Sequence, residues 1–394
     1  MHRSAVNLLR GTVDRPRRAD DRLGRVTSYP QLRLSLPRLE SNLAAMAAWS
    51  GQAGVGHWPH IKTTMCQPIV SRQLAAGATG VTVATPAQAA TAASWGCRRI
   101  LIANEVVDAG ELRRICRLTG DAQIMLLVDS AVGVAAADDA ARETGVVLDI
   151  LLDVGRPGGR SGVRDLAAAA EVAGLVHSAR GLRLIGVSAY EGVVPASRDD
   201  QTLRLVDDHC ALAVAAFVEL VSGFETGAPV FTAGGSAFPD RVVAAVGPVR
   251  AVPGAQVIVR SGCYVVHDHG MYRRLCPVPG LAAAVTVRGE VLSVPEPGLL
   301  VVGAGKRDMP HDADLPSVIG AWDPHGRRGK VLSGSVEALY DHHAVLRAEG
   351  DVTIGDLVDF GVSHPCGAFD RWPLITVVDA DGRVVDEWAT EFSR

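Results

Sequence analysis

The sequence has little excess charge of either sign and no long apolar run. Its 394 residues carry a formal net charge of −4, without the basic blocks that follow a nucleic-acid backbone. No uninterrupted apolar stretch reaches the roughly 18 residues that suggest a membrane-spanning helix. We therefore expect neither a nucleic-acid partner nor insertion into a membrane.

The sequence also has few lysines, and its cysteines do not occur in closely spaced pairs. An odd number of scattered cysteines does not suit a disulfide framework and is typical of a reducing cytoplasm, which is the location we predict. Only three of the 39 basic residues are lysines, at positions 62, 306 and 330, so each one merits individual attention. The cysteines stand at positions 66, 97, 116, 210, 263, 276 and 366.

The first 28 residues contain repeated arginines but no apolar core. This pattern does not fit a secretory signal, and it predicts a poorly ordered arm. After it, short apolar runs alternate with alanine-rich amphipathic stretches in units of about 25–30 residues, which reach eight before residue 270. The rhythm predicts an α/β fold with a (β/α)8 barrel of the TIM type over residues 29–275. A doubly wound sheet is the alternative. The predicted strands are Gln31–Leu36, Trp58–Lys62, Gly80–Ala84, Arg99–Ala103, Gln123–Val128, Leu148–Val154, Leu182–Ala189, Val230–Ala233 and Gln256–Arg260.

The rhythm changes near residue 276. Short strands separated by Gly, Pro and Asp turns predict a C-terminal antiparallel β domain over residues 276–394. The strand Gln31–Leu36 belongs either to the barrel or to this domain. The predicted strands of the domain are Ala282–Val287, Val291–Ser293, Leu299–Val302, Lys330–Leu332, Ala344–Leu346, Leu357–Phe360 and Leu374–Val378.

Lys62 falls at the carboxyl end of the predicted barrel strand Trp58–Lys62, on the face where barrel enzymes place their sites. A partly desolvated amine there could act as a nucleophile and form a Schiff base, although an ordinary surface lysine is the simpler interpretation. Two further strands end in Asp153–Val163, which carries Arg160, and in Ala189–Gly192, which carries Tyr190. A guanidinium and an aromatic ring at this face could contact a planar ligand, or could be structural.

Two Gly/Ser turns, Thr232–Ser236 and Arg260–Tyr264, follow the last two predicted strands. Barrels often bind a phosphate group at these loops, although two tight turns would look similar. In the β domain, His364 and Cys366 stand two positions apart, so in an extended segment both side chains point the same way. An imidazole and a thiolate favour zinc, but a pair of ligands alone is thin evidence.

Taken together, these segments resemble the fold-type III pyridoxal-phosphate enzymes, within them the metal-activated D-serine dehydratase and D-threonine aldolase group. The resemblance runs from about Tyr29 to Trp372 in motif order. It rests on His-x-Lys-Thr, Val-Gly-x-x-Gly-Gly-Arg, Ala-Tyr-Glu-Gly, Thr-Ala-Gly-Gly-Ser, Arg-Ser-Gly-Cys-Tyr, Gly-Lys-Arg-Asp and Ser-His-Pro-Cys.

The resemblance implies a role for each matching residue. Lys62 would form the Schiff base with pyridoxal phosphate and act as a base, Arg160 would lie near the phenolic oxygen, and Tyr190 would lie beside the ring. His364 and Cys366 would bind zinc, with Mn²⁺ or another divalent ion as the alternative. His343 matches a histidine near this site, and His342 stands where glutamine is usual. The implied phosphate cradle is Gly234, Gly235, Ser236, Ser261, Gly262 and Tyr264.

The function implied is β-elimination from a D-β-hydroxy amino acid such as D-serine or D-threonine, giving a 2-oxo acid and ammonia. The implied assembly is a homodimer. A D-threonine-type aldolase that gives glycine and an aldehyde is the main alternative. The segment Glu191–Ser197 contains no histidine to take the hydroxyl proton, which favours elimination. A metal-independent racemase and a non-catalytic carrier of the cofactor remain as further alternatives.

Overall fold

The computed structural model describes residues 28 to 392 and contains two large sheets. The predicted arm, residues 1–28, falls outside this range except for its last residue. Within the described part of the chain, no helix combines the length and the apolar character needed to cross a bilayer.

The first sheet is a barrel of eight parallel strands in the order β2-β9-β8-β7-β6-β5-β4-β3. A parallel bridge between His60 and Thr82 joins its two ends, and the Thr82 hydroxyl donates to the carbonyl of Trp58 at 2.8 Å. The predicted α/β barrel is therefore confirmed. Its strands are β2 (Gly56–His57), β3 (Val81–Val83), β4 (Arg99–Glu105), β5 (Gln123–Val128), β6 (Leu148–Val154), β7 (Leu182–Ala189), β8 (Val230–Ala233) and β9 (Gln256–Val259).

Helices cover the outside of the barrel, and several begin at a side-chain cap. Thr85, Asp108, Ser130 and Asp165 each accept a hydrogen bond from a backbone N–H three residues later, which satisfies an otherwise unpaired donor. The helices are α1 (Leu36–Ala53), α2 (Gln67–Ala75), α3 (Pro86–Ser94), α4 (Ala109–Leu118), α5 (Ala131–Thr144), α6 (Leu166–Ser178), α7 (Asp200–Leu220), α8 (Pro239–Ala245), α9 (Gly247–Arg250) and α10 (Met271–Leu275).

The interior of the barrel is packed with apolar side chains and is not a channel. Trp58 donates its indole N–H to the Thr79 hydroxyl at 3.0 Å, and a Cβ at Gly80 would lie 2.6 Å from the Trp58 ring. Ligands must therefore bind above this layer, at the end of the barrel where the strand carboxyl termini meet. The layer comprises Trp58, Leu101, Met125, Leu127, Leu151, Ile185, Val230 and Ile258.

The second sheet has ten strands and forms the β domain. β1 belongs to this sheet, antiparallel to β10 and parallel to β17. Buried side chains of α1, such as Leu39 and Met46, share one core with this sheet, which fixes the domain against the barrel. The strands are β1 (Gln31–Ser35), β10 (Val285–Glu296), β11 (Leu299–Val302), β12 (Ser317–Trp322), β13 (Gly329–Lys330), β14 (Leu332–Leu339), β15 (Ala344–Gly350), β16 (Leu357–Gly361), β17 (Leu374–Val378) and β18 (Val384–Ala389).

Candidate active site

Lys62 lies in a single 3-10 turn, Ile61–Thr63, and not at the end of a strand as predicted. β2 ends at His57, because Pro59 has no backbone N–H to donate to a neighbouring strand. After it the chain makes a single β-bridge, from His60 to Thr82, before it turns. The flanking residues Ile61 and Thr63 are buried while Lys62 is partly exposed. The lysine therefore stands on a firmly packed turn at the carboxyl end of the barrel.

The loop after β6 holds Arg160 through carboxylates at the barrel mouth. Asp153 accepts from the Ser161 hydroxyl at 2.8 Å, and Asp129 accepts from the backbone N–H of Gly162 at 2.8 Å. Gly162 has φ +98°, and a Cβ there would lie 2.2 Å from the nitrogen of Gly155. Glycine is therefore needed where Gly155 and Gly162 approach each other across the loop.

Arg160 and Tyr190 form a stacked pair. The guanidinium carbon of Arg160 lies 4.6 Å from the centre of the Tyr190 ring, which is a cation–π distance. Added Cβ atoms at Gly192 and Gly235 would lie 2.4 and 2.9 Å from atoms of Tyr190, so these glycines leave space for the ring. Burial, helped by the charge of Glu191, raises the pKa of the Tyr190 phenol to about 12.

The two predicted phosphate turns lie side by side and are joined by hydrogen bonds. The Ser261 hydroxyl donates to the carbonyl of Gly235 at 2.7 Å, and the backbone N–H of Cys263 donates to the Ser236 hydroxyl at 3.2 Å. A Cβ at Gly262 would lie 2.3 Å from the carbonyl oxygen of His60, so only glycine permits this approach to the Lys62 turn.

Glu191 is a buried residue that the sequence did not single out. Its carboxylate accepts from the N–H groups of Gly234 and Gly235 at 2.9 and 2.7 Å. Burial raises its pKa, while these two N–H donors oppose the increase. The carboxylate thus fixes the first of the two predicted phosphate turns, whose N–H groups at Gly234 and Gly235 it occupies.

Tyr264 is placed differently from the other predicted cradle residues. Its hydroxyl accepts from the Gln73 amide at 3.2 Å, and its ring meets the His57 ring edge-on at 4.9 Å between centroids. The side chain is buried against α2, so the residue can offer the site only its backbone.

His364 and Cys366 come together with a third donor, Cys263. The three ligand atoms lie within 4.8 Å of one another, and the two sulfur atoms are 3.2 Å apart. Nδ1 of His364 pairs with the Asp312 carboxylate at 2.7 Å, which leaves Nε2 as the free ligand atom. The sequence reasoning missed Cys263 as a donor because it treated the Arg-Ser-Gly-Cys-Tyr segment solely as a phosphate turn.

The pKa values of the two thiols are shifted in opposite directions. The Cys263 thiol donates to Cys366, and the imidazole of His364 and the ammonium of Lys62 help to stabilise the Cys366 anion, so the pKa of Cys366 lies well below its usual value. The pKa of Cys263 is correspondingly raised, by that hydrogen bond and by burial. Lys62 therefore lies close enough to the cluster to affect its charge.

Two other residues near the site were not predicted. Tyr272 hydrogen-bonds to Cys263, and its ring centre is 5.7 Å from that of His364. Arg260 is fully buried beneath the site and donates to the Ser188 hydroxyl at 3.1 Å and to the carbonyl of Ala189. By contrast, His342 and His343 lie exposed on the turn between β14 and β15.

The residues present fit pyridoxal phosphate. Nδ1 of His60 is buried without a protein partner, beside the charges of Lys62, Arg260 and Arg160. Such a set of cations suits an anionic ligand, and the glycine-lined ring of Tyr190 offers a flat surface for a planar one. The three-donor cluster fits a divalent ion of the zinc type.

Family comparisons agree with the two parts of the fold. The alanine racemase N-terminal domain model matches residues 34–238, and a serine dehydratase domain model matches residues 284–378. The first match begins at the end of β1 and covers the barrel strands from β2 to β8. The second covers the β domain, including the turn with His364 and Cys366.

Similar proteins span almost the whole chain. D-threonine aldolase of Arthrobacter sp. is 28% identical over 387 residues, which cover 96% of this chain and 97% of the relative. D-threo-3-hydroxyaspartate dehydratase of Delftia sp. is 26% identical over 378 residues, covering 90% and 95%. The crystal structure of D-threonine aldolase from Filomicrobium marinum has a TM-score of 0.79 at 26% identity and covers 92% of this chain and 95% of that one.

Proposed function

Since the chain belongs to the alanine racemase family of fold-type III pyridoxal-phosphate enzymes, we propose that it is a lyase that eliminates water from a D-β-hydroxy amino acid. The enamine left after loss of water would be hydrolysed by one water molecule to a 2-oxo acid and ammonia, and the ion would be zinc. One observation carries the proposal. The turn that bears Lys62 contacts the turn that bears His364 and Cys366, because the Thr63 hydroxyl lies 3.7 Å from the sulfur atom of Cys366. The same hydroxyl lies 3.7 Å from the sulfur atom of Cys263, on the turn after β9.

The cofactor would be held by residues that the structure brings to one end of the barrel. Lys62 would bind the pyridoxal aldehyde covalently, and the joined turns around Ser236 and Ser261 would bind the phosphate. Arg160 and Tyr190 would flank the ring. When bound, the pyridine ring withdraws electrons from the α-carbon of an amino acid, which acidifies its α-hydrogen.

The protein groups then divide the proton and hydroxyl chemistry between them. Lys62, once its amine is free, can remove the α-proton from the face it occupies. His364 and Cys366 lie close to it and would hold the ion that draws the β-hydroxyl away as a Lewis acid. A base and a Lewis acid next to each other are what β-elimination of water needs.

D-threonine-type aldolase activity is the second candidate. The similarity to the Arthrobacter aldolase extends over 387 residues at 28% identity, slightly above that to the Delftia dehydratase. Aldol cleavage needs a base for the β-hydroxyl proton, and the segment Glu191–Ser197 beside Tyr190 contains no histidine. We therefore prefer elimination.

Product analysis tests this choice. The purified enzyme, loaded with pyridoxal phosphate and zinc, is incubated with D-serine, D-threonine and D-3-hydroxyaspartate, and with their L-enantiomers as controls. We expect 2-oxo acid and ammonia in equal amounts from at least one D-substrate. Glycine and an aldehyde would establish the aldolase instead, and metal-independent racemisation would overturn both candidates. The cytoplasmic location and the homodimer remain predictions.

A further inference from the structure

We propose that Cys263 is a third protein ligand of the divalent ion, so that two thiolates and one imidazole bind it. The inference rests on the proposed function only in assuming that His364 and Cys366 bind a metal. It concerns a residue that comes from the barrel, whereas the other two donors come from the β domain.

The distances suit one tetrahedral ion. Two sulfur atoms that bind the same zinc, each at about 2.3 Å, lie roughly 3.8 Å apart. The sulfur atoms of Cys263 and Cys366 are 3.2 Å apart, and an imidazole nitrogen of His364 completes a set of donor atoms within 4.8 Å of one another. An adjustment of about half an ångström would therefore place both sulfur atoms on one ion.

The backbone holds the two segments together around this cluster. The N–H groups of His269 and Met271 each donate to the 362–363 segment, at 2.9 Å, and a Cβ at Gly270 would lie 2.7 Å from the carbonyl oxygen of Ser363. The backbone N–H of Cys263 donates to the Ser236 hydroxyl at 3.2 Å. These bonds tie the stretch that follows Cys263 to the residues just before His364, and they anchor Cys263 itself to the loop after β8, which keeps Cys263 close to His364 and Cys366.

The surrounding groups suit ionised ligands. Asp312 orients the imidazole of His364 through Nδ1, which is the common arrangement for a metal-bound histidine. The Thr63 hydroxyl is 3.7 Å from both sulfur atoms and can donate to either thiolate. These contacts form an outer shell for both cysteines.

A third ligand would change what the ion can do. Two thiolates select zinc over Mn²⁺ or Mg²⁺, which prefer oxygen donors. A tetrahedral ion with two sulfur ligands and one nitrogen ligand has one open position, as in Cys₂His catalytic sites. The ion would therefore bind the substrate through one atom, the β-hydroxyl oxygen, and the substrate carboxylate would have to bind to protein groups.

X-ray absorption at the zinc edge of the wild-type holoenzyme counts the sulfur ligands without any mutation. We expect two sulfur ligands at about 2.3 Å. One sulfur ligand would overturn the inference about Cys263. That result would still agree with a metal ion bound by His364 and Cys366. Zinc with no sulfur ligand, or no bound zinc, would reject the proposed metal function as well.

Cobalt-substituted variants provide the second measurement. The thiolate-to-cobalt absorption should fall by about half in Cys263→Ser and in Cys366→Ser, and zinc affinity in chelator competition should fall at least about 10-fold. Cys276→Ser, which alters a half-buried cysteine outside the cluster, is the matched control. An unchanged cobalt band in a folded Cys263→Ser or Cys263→Ala protein would contradict the inference, as would a Cys263–Cys366 disulfide in the metal-loaded enzyme.

Discussion

Glu105 at the end of β4 should make the stability of the metal-free and cofactor-free protein fall as pH rises. Its Oε1 is buried without a partner, and burial, reinforced by the negative charges of Asp153 and Asp129, raises its pKa to about 8 from the model-compound value of 4.5. Replacing it by Gln keeps the shape and removes the titration. The variant therefore isolates the cost of ionising this carboxyl group.

The sign and size follow from proton linkage. Between about pH 4.5 and 8 the unfolded chain loses this proton while the folded protein keeps it, so the free energy of unfolding decreases across that window. One pKa unit corresponds to about 1.4 kcal/mol. Since Glu105 is partly exposed, we discount the full shift for solvent screening and expect a loss of about 2 kcal/mol.

The prediction is checked by measuring the free energy of unfolding of the apo protein in urea at several pH values between about 5 and 9. The stability of Glu105→Gln relative to wild type should increase by about 2 kcal/mol from the acid to the alkaline end. Glu219→Gln, at an exposed position of α7, is the matched control and should show no such trend. If the difference in stability between Glu105→Gln and wild type stays constant with pH, Glu105 does not titrate with a raised pKa in the folded protein.

Three further predictions concern the site. Cys366→Ala should retain the visible absorption of bound pyridoxal phosphate but lose at least about 100-fold in kcat, because Lewis-acid assistance is worth several kcal/mol; unchanged kinetics would remove the zinc proposal. Gly235→Ala should weaken cofactor binding about 10-fold or more in a spectral titration, because the added Cβ would lie 2.9 Å from Cε2 of Tyr190; Gly227→Ala, with no atom within 4 Å of the added Cβ, is its control. EDTA should abolish turnover and zinc should restore it, whereas full activity in EDTA would favour the metal-independent alternatives.

The barrel could be predicted because the repeat of apolar strands and alanine-rich helices is a local property of the chain. Strand partners are not local. The strand Gln31–Ser35 looks the same in either domain, and only its pairing with β10 and β17 places it in the antiparallel sheet. β12 and β18 were missed because each mixes apolar with polar or small residues, and only pairing with a neighbouring strand identifies them.

The residues of the candidate site also fall into two groups, those recognisable in a local motif and those that only the fold brings together. Lys62, Arg160 and Tyr190 stand in short motifs at or after the ends of predicted strands, so they could be proposed as site residues from the sequence. Cys263 and Cys366 are separated by about one hundred residues, and nothing in either segment indicates that their sulfur atoms lie 3.2 Å apart. Glu191 was overlooked because its role depends on backbone N–H groups of another loop.

In the proposed enzyme one amine, that of Lys62, holds pyridoxal phosphate beside the metal donors. Borohydride reduction of the holoenzyme, followed by peptide mass mapping, tests it directly because the chain has only three lysines. We predict that the reduced cofactor is found on the peptide that contains Lys62, and that Lys62→Ala lacks both the label and the visible absorption band. A label on Lys306 or Lys330, or an unlabelled Lys62 peptide in active enzyme, would show that Lys62 does not hold the cofactor.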